Sequence, residues 1–205
     1  EKWANKALQE KNFGKRSYAL LSLTKAAGID PFHRKDTDPP INLKIGNKIF
    51  QSLLEIDWKE LNLSEQNALV RTYQVAMVRF GKPSAQIVQK IIAQLDPYFP
   101  AKSFEMNWLL CETLAFLEAP KTAQKGISLL NKATTQEEQM EYARSLRTLK
   151  NGWTHKLRTQ YFNWFLKAAN YRGGASFTKF IEFIRNDAVA SLSSKEQKDL
   201  ASLLN

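Results

Sequence analysis

The chain has 205 residues, of which 43% are hydrophobic and 24% are charged, and this composition excludes disorder as its main state. Its single cysteine, Cys111, excludes an intrachain disulfide and a cysteine-rich zinc site, and no stretch approaches the ~18 unbroken apolar residues of a membrane span. The net charge of +10 lies mostly towards the two ends, as in a lysine-rich solubilising surface or a protein with an anionic partner. Because the sequence begins at Glu1 without a methionine, we expect it to be a piece of a longer protein.

Apolar residues recur at helical spacing along nearly the whole chain, and no window alternates strictly enough for a half-buried strand. The sequence therefore predicts an all-α fold. It predicts helices around residues 3–9 and 13–27, followed by an irregular, proline-containing loop over about residues 28–41. The next helix is predicted to have Ser64 as its N-cap and to end at Gly81.

Start and stop signals continue through the middle of the chain. Ser84 and Ser103 are the predicted N-caps of two further helices, which end before Pro97 and Pro120. A short helix is predicted from about Thr122.

The C-terminal part contains two predicted capping boxes, Thr135 with Glu138 and Ser194 with Gln197. In each box the two side chains are expected to satisfy each other's free backbone N–H groups. Between the boxes the sequence predicts further helix caps and glycine breaks, at Gly152, Thr154, Gly173, Gly174 and Ser176.

The predicted caps at Ser64, Ser103, Thr135 and Ser176 open alternate helices, roughly 32 to 41 residues apart. Helix pairs that recur at this interval with short turns are typical of repeat proteins. We therefore expect one HEAT/armadillo-like α-solenoid of antiparallel helix pairs over residues 1–205. An irregular helical bundle would give similar spacing and stays open as the alternative.

Catalytic signals are few. His33 and His155 are far apart in sequence and neither has metal-ligand spacing, and the chain has no haem-attachment, nucleotide-binding or nucleophile-elbow motif. Cys111 lies at helical spacing with apolar residues and is expected to be a buried structural thiol. We therefore expect no catalytic residue, no metal site and no cofactor.

One pair of residues suggests an enzyme. Trp108 and Glu112 lie one turn apart on a predicted helix. In a basic solenoid this pair resembles the tryptophan and carboxylate of HEAT-like DNA glycosylases of the alkylation-repair type. The alternative is that Trp108 is a core residue, because it also has helical spacing with Phe104 and Cys111.

A basic strip is the candidate interaction surface. Its predicted members are Arg144, Arg147, Lys150, Arg158 and Arg172. Such a strip could bind nucleic acid or an acidic partner domain, or its arginines could bridge neighbouring helices through their forked donors. The sequence leaves these alternatives open.

A series of short segments resembles the HEAT-repeat part of large bacterial exported proteins described as membrane-bound dehydrogenases or haem-binding proteins. The similarity covers roughly Tyr98 to Leu192. The segments that carry it are Thr134–Gln139, Tyr142–Ala143, Leu146–Arg147, Lys150–Trp153, Arg158, Tyr161–Phe162, Trp164, Tyr171, Gly173–Gly174 and Ser176–Phe177.

In that family the helical segment lies between a dehydrogenase-like β-propeller and a c-type cytochrome domain. The resemblance implies a scaffold or docking module from an extracytoplasmic, periplasmic redox protein, whose partner is another domain of the parent chain or another protein. From their residue types, Trp153, Tyr161 and Trp164 are expected to join the last repeats, with Gly173 and Gly174 allowing a tight turn. A nucleic-acid-binding solenoid, with or without glycosylase activity, is the alternative function.

Overall fold

The structure is a computed structural model that describes residues 2–204. Within this range it contains twelve α-helices and no strand, which confirms the prediction of an all-α fold. None of these helices is long and apolar enough to cross a membrane. The helices are α1 (Lys2–Leu8), α2 (Phe13–Ala27), α3 (Leu43–Leu54), α4 (Leu63–Phe80), α5 (Ala85–Leu95), α6 (Phe104–Phe116), α7 (Thr122–Lys132), α8 (Gln136–Leu146), α9 (His155–Ala168), α10 (Phe177–Ala190), α11 (Ser194–Asp199) and α12 (Ala201–Leu204).

Most helix starts are set by short polar side chains, as the sequence predicted. The side chains of Ser103, Thr135 and Thr154 each accept a hydrogen bond from a backbone N–H in the first turn of α6, α8 and α9. Gly81 ends α4 with a φ of 85°, a conformation that glycine adopts without a steric penalty. These local signals therefore mark where several of the helices begin and end.

Two predicted caps are wrong. The N-cap of α4 is Asn62, which forms a capping box with Glu65, so Ser64 lies inside the helix. The second box joins Ser193 to Glu196. Asn62 and Ser193 cap as well as the predicted residues do, and each has a glutamate three positions later. That glutamate accepts a hydrogen bond from the backbone N–H of the N-cap residue, which favours the observed position.

Helix α3 has no counterpart among the helices predicted from the sequence. It follows the irregular segment and begins after Asn42, whose side chain accepts from the N–H of Ile45 at 3.2 Å. One face of α3 is buried through Ile49, Phe50 and Leu53. The sequence thus contained both an N-cap residue and an apolar face from which α3 could have been predicted.

The chain divides into two compact units, Glu1–Pro97 and Tyr98–Asn205. In the first unit α2 packs along α4, and α3 contacts both α4 and α5. Its core includes Leu20, Leu69 and Tyr73, all fully buried. The prediction of a single domain over residues 1–205 stays a prediction.

In the second unit, alternate helices contact one another. Helix α8 lies against α6 and α10, while α9 lies against α7 and α12. Within the core of this unit, the fully buried Tyr161 donates its hydroxyl to the carbonyl oxygen of Ala143 at 2.7 Å, which ties α9 to α8. The loops that precede α7 and α9 also touch, because Gly152 lies directly against the carbonyl of Pro120.

Replacing Gly152 with alanine is expected to destabilise the second unit by about 3 kcal/mol. Its φ is 76°, and an added Cβ would lie only 2.1 Å from the backbone oxygen of Pro120. Urea denaturation measures the change. Gly174→Ala is the matched control, since an added Cβ there meets nothing within 4 Å; equal losses in the two variants would contradict the role assigned to Gly152.

Candidate functional site

Arg144 lies on α8 and its guanidinium binds two carboxylates. One nitrogen is 3.1 Å from Oε1 of Glu112 on α6, and another is 2.9 Å from Oε2 of Glu141 on its own helix. The guanidinium also lies 5.9 Å from the centre of the Trp108 ring. The Trp108 and Glu112 pair that resembled a glycosylase site is therefore engaged in packing α6 against α8.

Arg147 connects α8 to α10. Its Nε donates to Oδ2 of Asp187 at 2.9 Å, and its Nη1 donates to the carbonyl oxygen of Arg144 at 2.6 Å. The guanidinium thus satisfies a carbonyl in the last turn of α8 and forms an ion pair with the neighbouring helix. This second arginine of the predicted strip also pairs with a carboxylate of a neighbouring helix.

Arg158 is the most deeply buried charged residue of the strip, with 1% of its surface exposed. Its Nε donates to Oε1 of Glu196 at 2.8 Å, its Nη1 donates to the hydroxyl of Ser191 at 3.2 Å, and its guanidinium lies 4.1 Å from the ring centre of Trp153. Burial lowers the pKa of Arg158, while the ion pair with Glu196 acts in the opposite direction. This arginine joins α9 to the turn after α10 and to α11.

The other two predicted members of the strip remain at the surface. Lys150 and Arg172 both have exposed side chains. Their backbones are bound, because Glu118 accepts from the N–H of Lys150 at 3.1 Å and Gln136 donates to the carbonyl of Arg172 at 2.8 Å. Of the five predicted members, Arg144, Arg147 and Arg158 thus pair with carboxylates, whereas Lys150 and Arg172 have exposed side chains.

Gln139 is a structural centre that sequence reasoning missed. It is 5% exposed, and its Oε1 accepts from the indole N–H of Trp164 at 3.1 Å, from Nζ of Lys167 at 3.2 Å and from the hydroxyl of Tyr171. Its Nε2 donates to the carbonyl of Ala133 at 2.8 Å. No local signal marks this glutamine, because all four partners come from other elements.

The residues expected to join the last helices lie together in the second unit. Trp153 and Tyr161 have ring centres 5.3 Å apart. A Cβ on Gly173 would come within 2.4 Å of the ring of Phe177, so this glycine permits close packing, whereas one on Gly174 would meet nothing within 4 Å. Neither glycine has a positive φ. The two predicted turn residues therefore differ in their surroundings.

Cys111 is fully buried, and burial, followed by the neighbouring carboxylate of Glu112, raises its pKa to about 12. The thiol is therefore protonated at neutral pH and is a poor nucleophile. Within residues 2–204, no three His, Cys, Asp or Glu side chains gather as a metal site would require.

Two adjoining hollows lie between α7 and α9 in the second unit. Their volumes are about 540 and 280 Å³, and they share Asn131 and Gln160 as lining residues. We call them the amide groove, because the side-chain amides of Gln124, Asn131, Gln139, Gln160 and Asn163 line it. The spacing of these polar residues along α7 and α9 was a signal that sequence reasoning did not use.

Comparison with protein families, with characterised proteins and with solved structures found no significant match to this chain. The resemblance to HEAT segments of exported redox proteins is therefore untested and stays a prediction.

The variant Arg158→Lys is expected to lower the free energy of unfolding of the second unit by about 2 kcal/mol. A lysine keeps the buried positive charge. Its single ammonium group cannot replace the planar guanidinium, which bonds Glu196 and Ser191 at the same time and lies against the ring of Trp153. Urea denaturation with amide hydrogen exchange in α9 measures the effect. Arg172→Lys, at an exposed position, should change stability by less than about 0.5 kcal/mol; a comparable loss there would contradict this account.

Glu196 is expected to make stability depend on pH. Burial alone would raise its pKa, but hydrogen bonds from Ser193 and the contact with Arg158 outweigh burial and hold the pKa below the ordinary value. Because the pKa is lower in the folded state, the carboxylate stabilises the fold above the unfolded-state pKa and stops doing so as the pH falls through the folded-state pKa. The stability difference between wild type and Glu196→Gln should thus be largest near pH ~7 and shrink below pH ~4. A difference that stays constant in urea denaturation across this range would contradict the assignment.

Proposed function

We propose that this chain is a non-catalytic, HEAT-like helical-repeat module that binds another protein or another domain of its own parent chain. The proposal depends on a contrast between paired and unpaired polar side chains. Arg144, Arg147 and Arg158 are paired with carboxylates of this chain, whereas the amide groove presents the side-chain amides of Gln124, Asn131, Gln160 and Asn163, which have no partner among the described residues. A surface of unsatisfied donors and acceptors on a rigid scaffold is suited to recognition.

The contacts between helices support the repeat arrangement. In the second unit, α6 contacts α8, α8 contacts α10, and α7 contacts α9. Within the first unit, α2 contacts α4 and α3 contacts α5 in the same alternating way. Two rows of helices in which each contacts the next but one are expected of stacked helix pairs.

The proposed cellular role follows from the resemblance alone. If the chain belongs to a large exported redox protein, the module acts as a scaffold between domains that hold the redox centres, outside the cytoplasm. The haem and sugar chemistry of such a parent protein would then take place elsewhere in it.

The geometry favours this proposal over the nucleic-acid alternative. A glycosylase would need Glu112 free to act at a damaged base and arginines free to contact phosphates. Here Glu112 and Arg144 bind each other at 3.1 Å, and Arg158 is buried.

Glu112→Gln separates the two functions. We expect the wild type to excise no damaged base, and the variant to lose about 0.5 kcal/mol of stability because its ion pair with Arg144 is weakened. Excision of alkylated bases from duplex DNA and urea denaturation are the two measurements. Glu105→Gln, at an exposed position of the same helix, is the control and should leave both unchanged. Base excision that disappears in Glu112→Gln without loss of stability would overturn the proposal.

Binding is tested by selecting from a displayed library of random peptides and by titrating a labelled duplex DNA over a salt series. The proposal expects peptides that bind one saturable site, and little DNA binding at physiological salt. DNA binding that weakens steeply with salt, with no peptide selected, would instead favour the nucleic-acid-binding function.

A further inference from the structure

The amide groove has two facing rows of polar side chains. On α7 and its N-cap, Lys121, Gln124 and Asn131 line the hollows, and their spacing places them on one face of the helix. On α9 the matching row comprises Lys156, Gln160, Asn163 and Lys167. Because α7 and α9 are in contact, the two rows form the walls of one groove.

Four of the side-chain amides in these walls are free. The side chains of Gln124, Asn131, Gln160 and Asn163 have no hydrogen-bond partner among the described residues, and each amide offers two N–H donors and a carbonyl acceptor. By contrast, Gln139 beneath the groove has both ends of its amide bonded to the protein. Gln139 is thus held in place at the bottom of the groove, while the other amides remain available to a ligand.

The charge of the groove has one sign. No Asp or Glu is among the residues that line either hollow within the described part of the chain. Lys121 and Lys156 lie where α7 and α9 begin, and the contact between Gly152 and Pro120 shows that these two ends are side by side. Helix α7 also begins without a side-chain cap, and the positive end of its dipole adds to the positive potential there.

The length of the groove suits a short extended chain. The row from Lys121 to Asn131 is roughly 15 Å long at about 1.5 Å per residue, which corresponds to about five residues of extended peptide. Alternating amide donors and acceptors complement the N–H and C=O groups of such a backbone, and lysines at one end complement a carboxylate.

Other ligand classes fit the groove less well. Trp164 is the sole aromatic residue among those described that line the two hollows, and it is 5% exposed, so neither a sugar ring nor an unpaired base would find a stacking surface. No arginine is available in these walls for bidentate contacts to phosphate.

From these observations we propose that the amide groove between α7 and α9 binds an extended acidic peptide segment. The exposed amides hydrogen-bond its main chain, and Lys121 and Lys156 pair with its carboxylates. This inference rests on the proposed function, because it assigns the partner class and the site of the interaction module.

The test uses the full chain and a fluorescent peptide of about seven residues that alternates aspartate with serine, long enough to span the groove. Gln160→Ala combined with Asn163→Ala should weaken binding about tenfold, through lost main-chain hydrogen bonds. The matched control, Gln86→Ala with Gln89→Ala, removes two exposed amides from α5 and should bind like the wild type. A peptide N-methylated at alternate residues should also bind about tenfold more weakly, because it lacks those N–H donors.

The charge contribution has its own pair of variants. Lys121→Gln with Lys156→Gln should weaken binding about tenfold and flatten its salt dependence. Lys195→Gln with Lys198→Gln removes the same charge from exposed positions of α11 and should have little effect. A lysine–serine peptide should not bind. The substituted side chains are exposed or partly exposed, and circular dichroism checks that each variant is folded.

Three results would overturn the inference: no binding of the acidic peptide, equal binding by groove and control variants, or tighter binding of single-stranded DNA that competes at the groove. The experiments also distinguish failure of this inference from failure of the proposed function. If library selection yields peptides whose binding is insensitive to the groove variants, the module binds proteins at another surface. If no peptide is selected and duplex DNA binds, both proposals fail.

Discussion

The architecture of the second unit depends on the burial of one guanidinium. Arg158 is almost completely enclosed, and it reaches Glu196 at the start of α11, Ser191 after α10 and the ring of Trp153 before α9. Burying an arginine removes its charge from water at a high cost in free energy. This cost is offset only where the N–H groups of the guanidinium meet partners in good geometry. The turns that supply these partners must therefore hold their positions together, which fixes how α9, α10 and α11 meet.

The same principle applies to two further arginines of this unit. Arg144 and Arg147 each carry a charge that Glu112, Glu141 or Asp187 balances across a helix contact. The sequence places these arginines on one face of α8, but it cannot show that carboxylates of α6 and α10 meet that face. Pairing across helices depends on tertiary packing, so the bridging alternative could be stated from the sequence but could not be chosen.

Local chemistry was, by comparison, readable from the sequence. Caps such as Ser103 and Thr154 act within one turn of backbone, so composition and spacing were enough to locate most of the helices, although α3 was missed. The errors at Ser64 and Ser194 moved a cap by one or two residues without changing the element it opened. The role of Gln139 could not be predicted in this way, because its hydrogen-bond partners Trp164, Lys167 and Tyr171 are distant in sequence.

Recognition by the amide groove would depend on this division between satisfied and unsatisfied polar groups. A flexible surface loses side-chain entropy when it orders around a ligand, and that loss reduces affinity. Here the buried amide of Gln139 is held by bonds to α7's C-terminal turn and to α9, so the walls on either side are fixed before a partner arrives. The exposed Gln160 and Asn163 then need to order only their own side chains. A groove built in this way recognises main-chain groups with little dependence on side-chain sequence, so the specificity for acidic segments must come from Lys121 and Lys156 at its end.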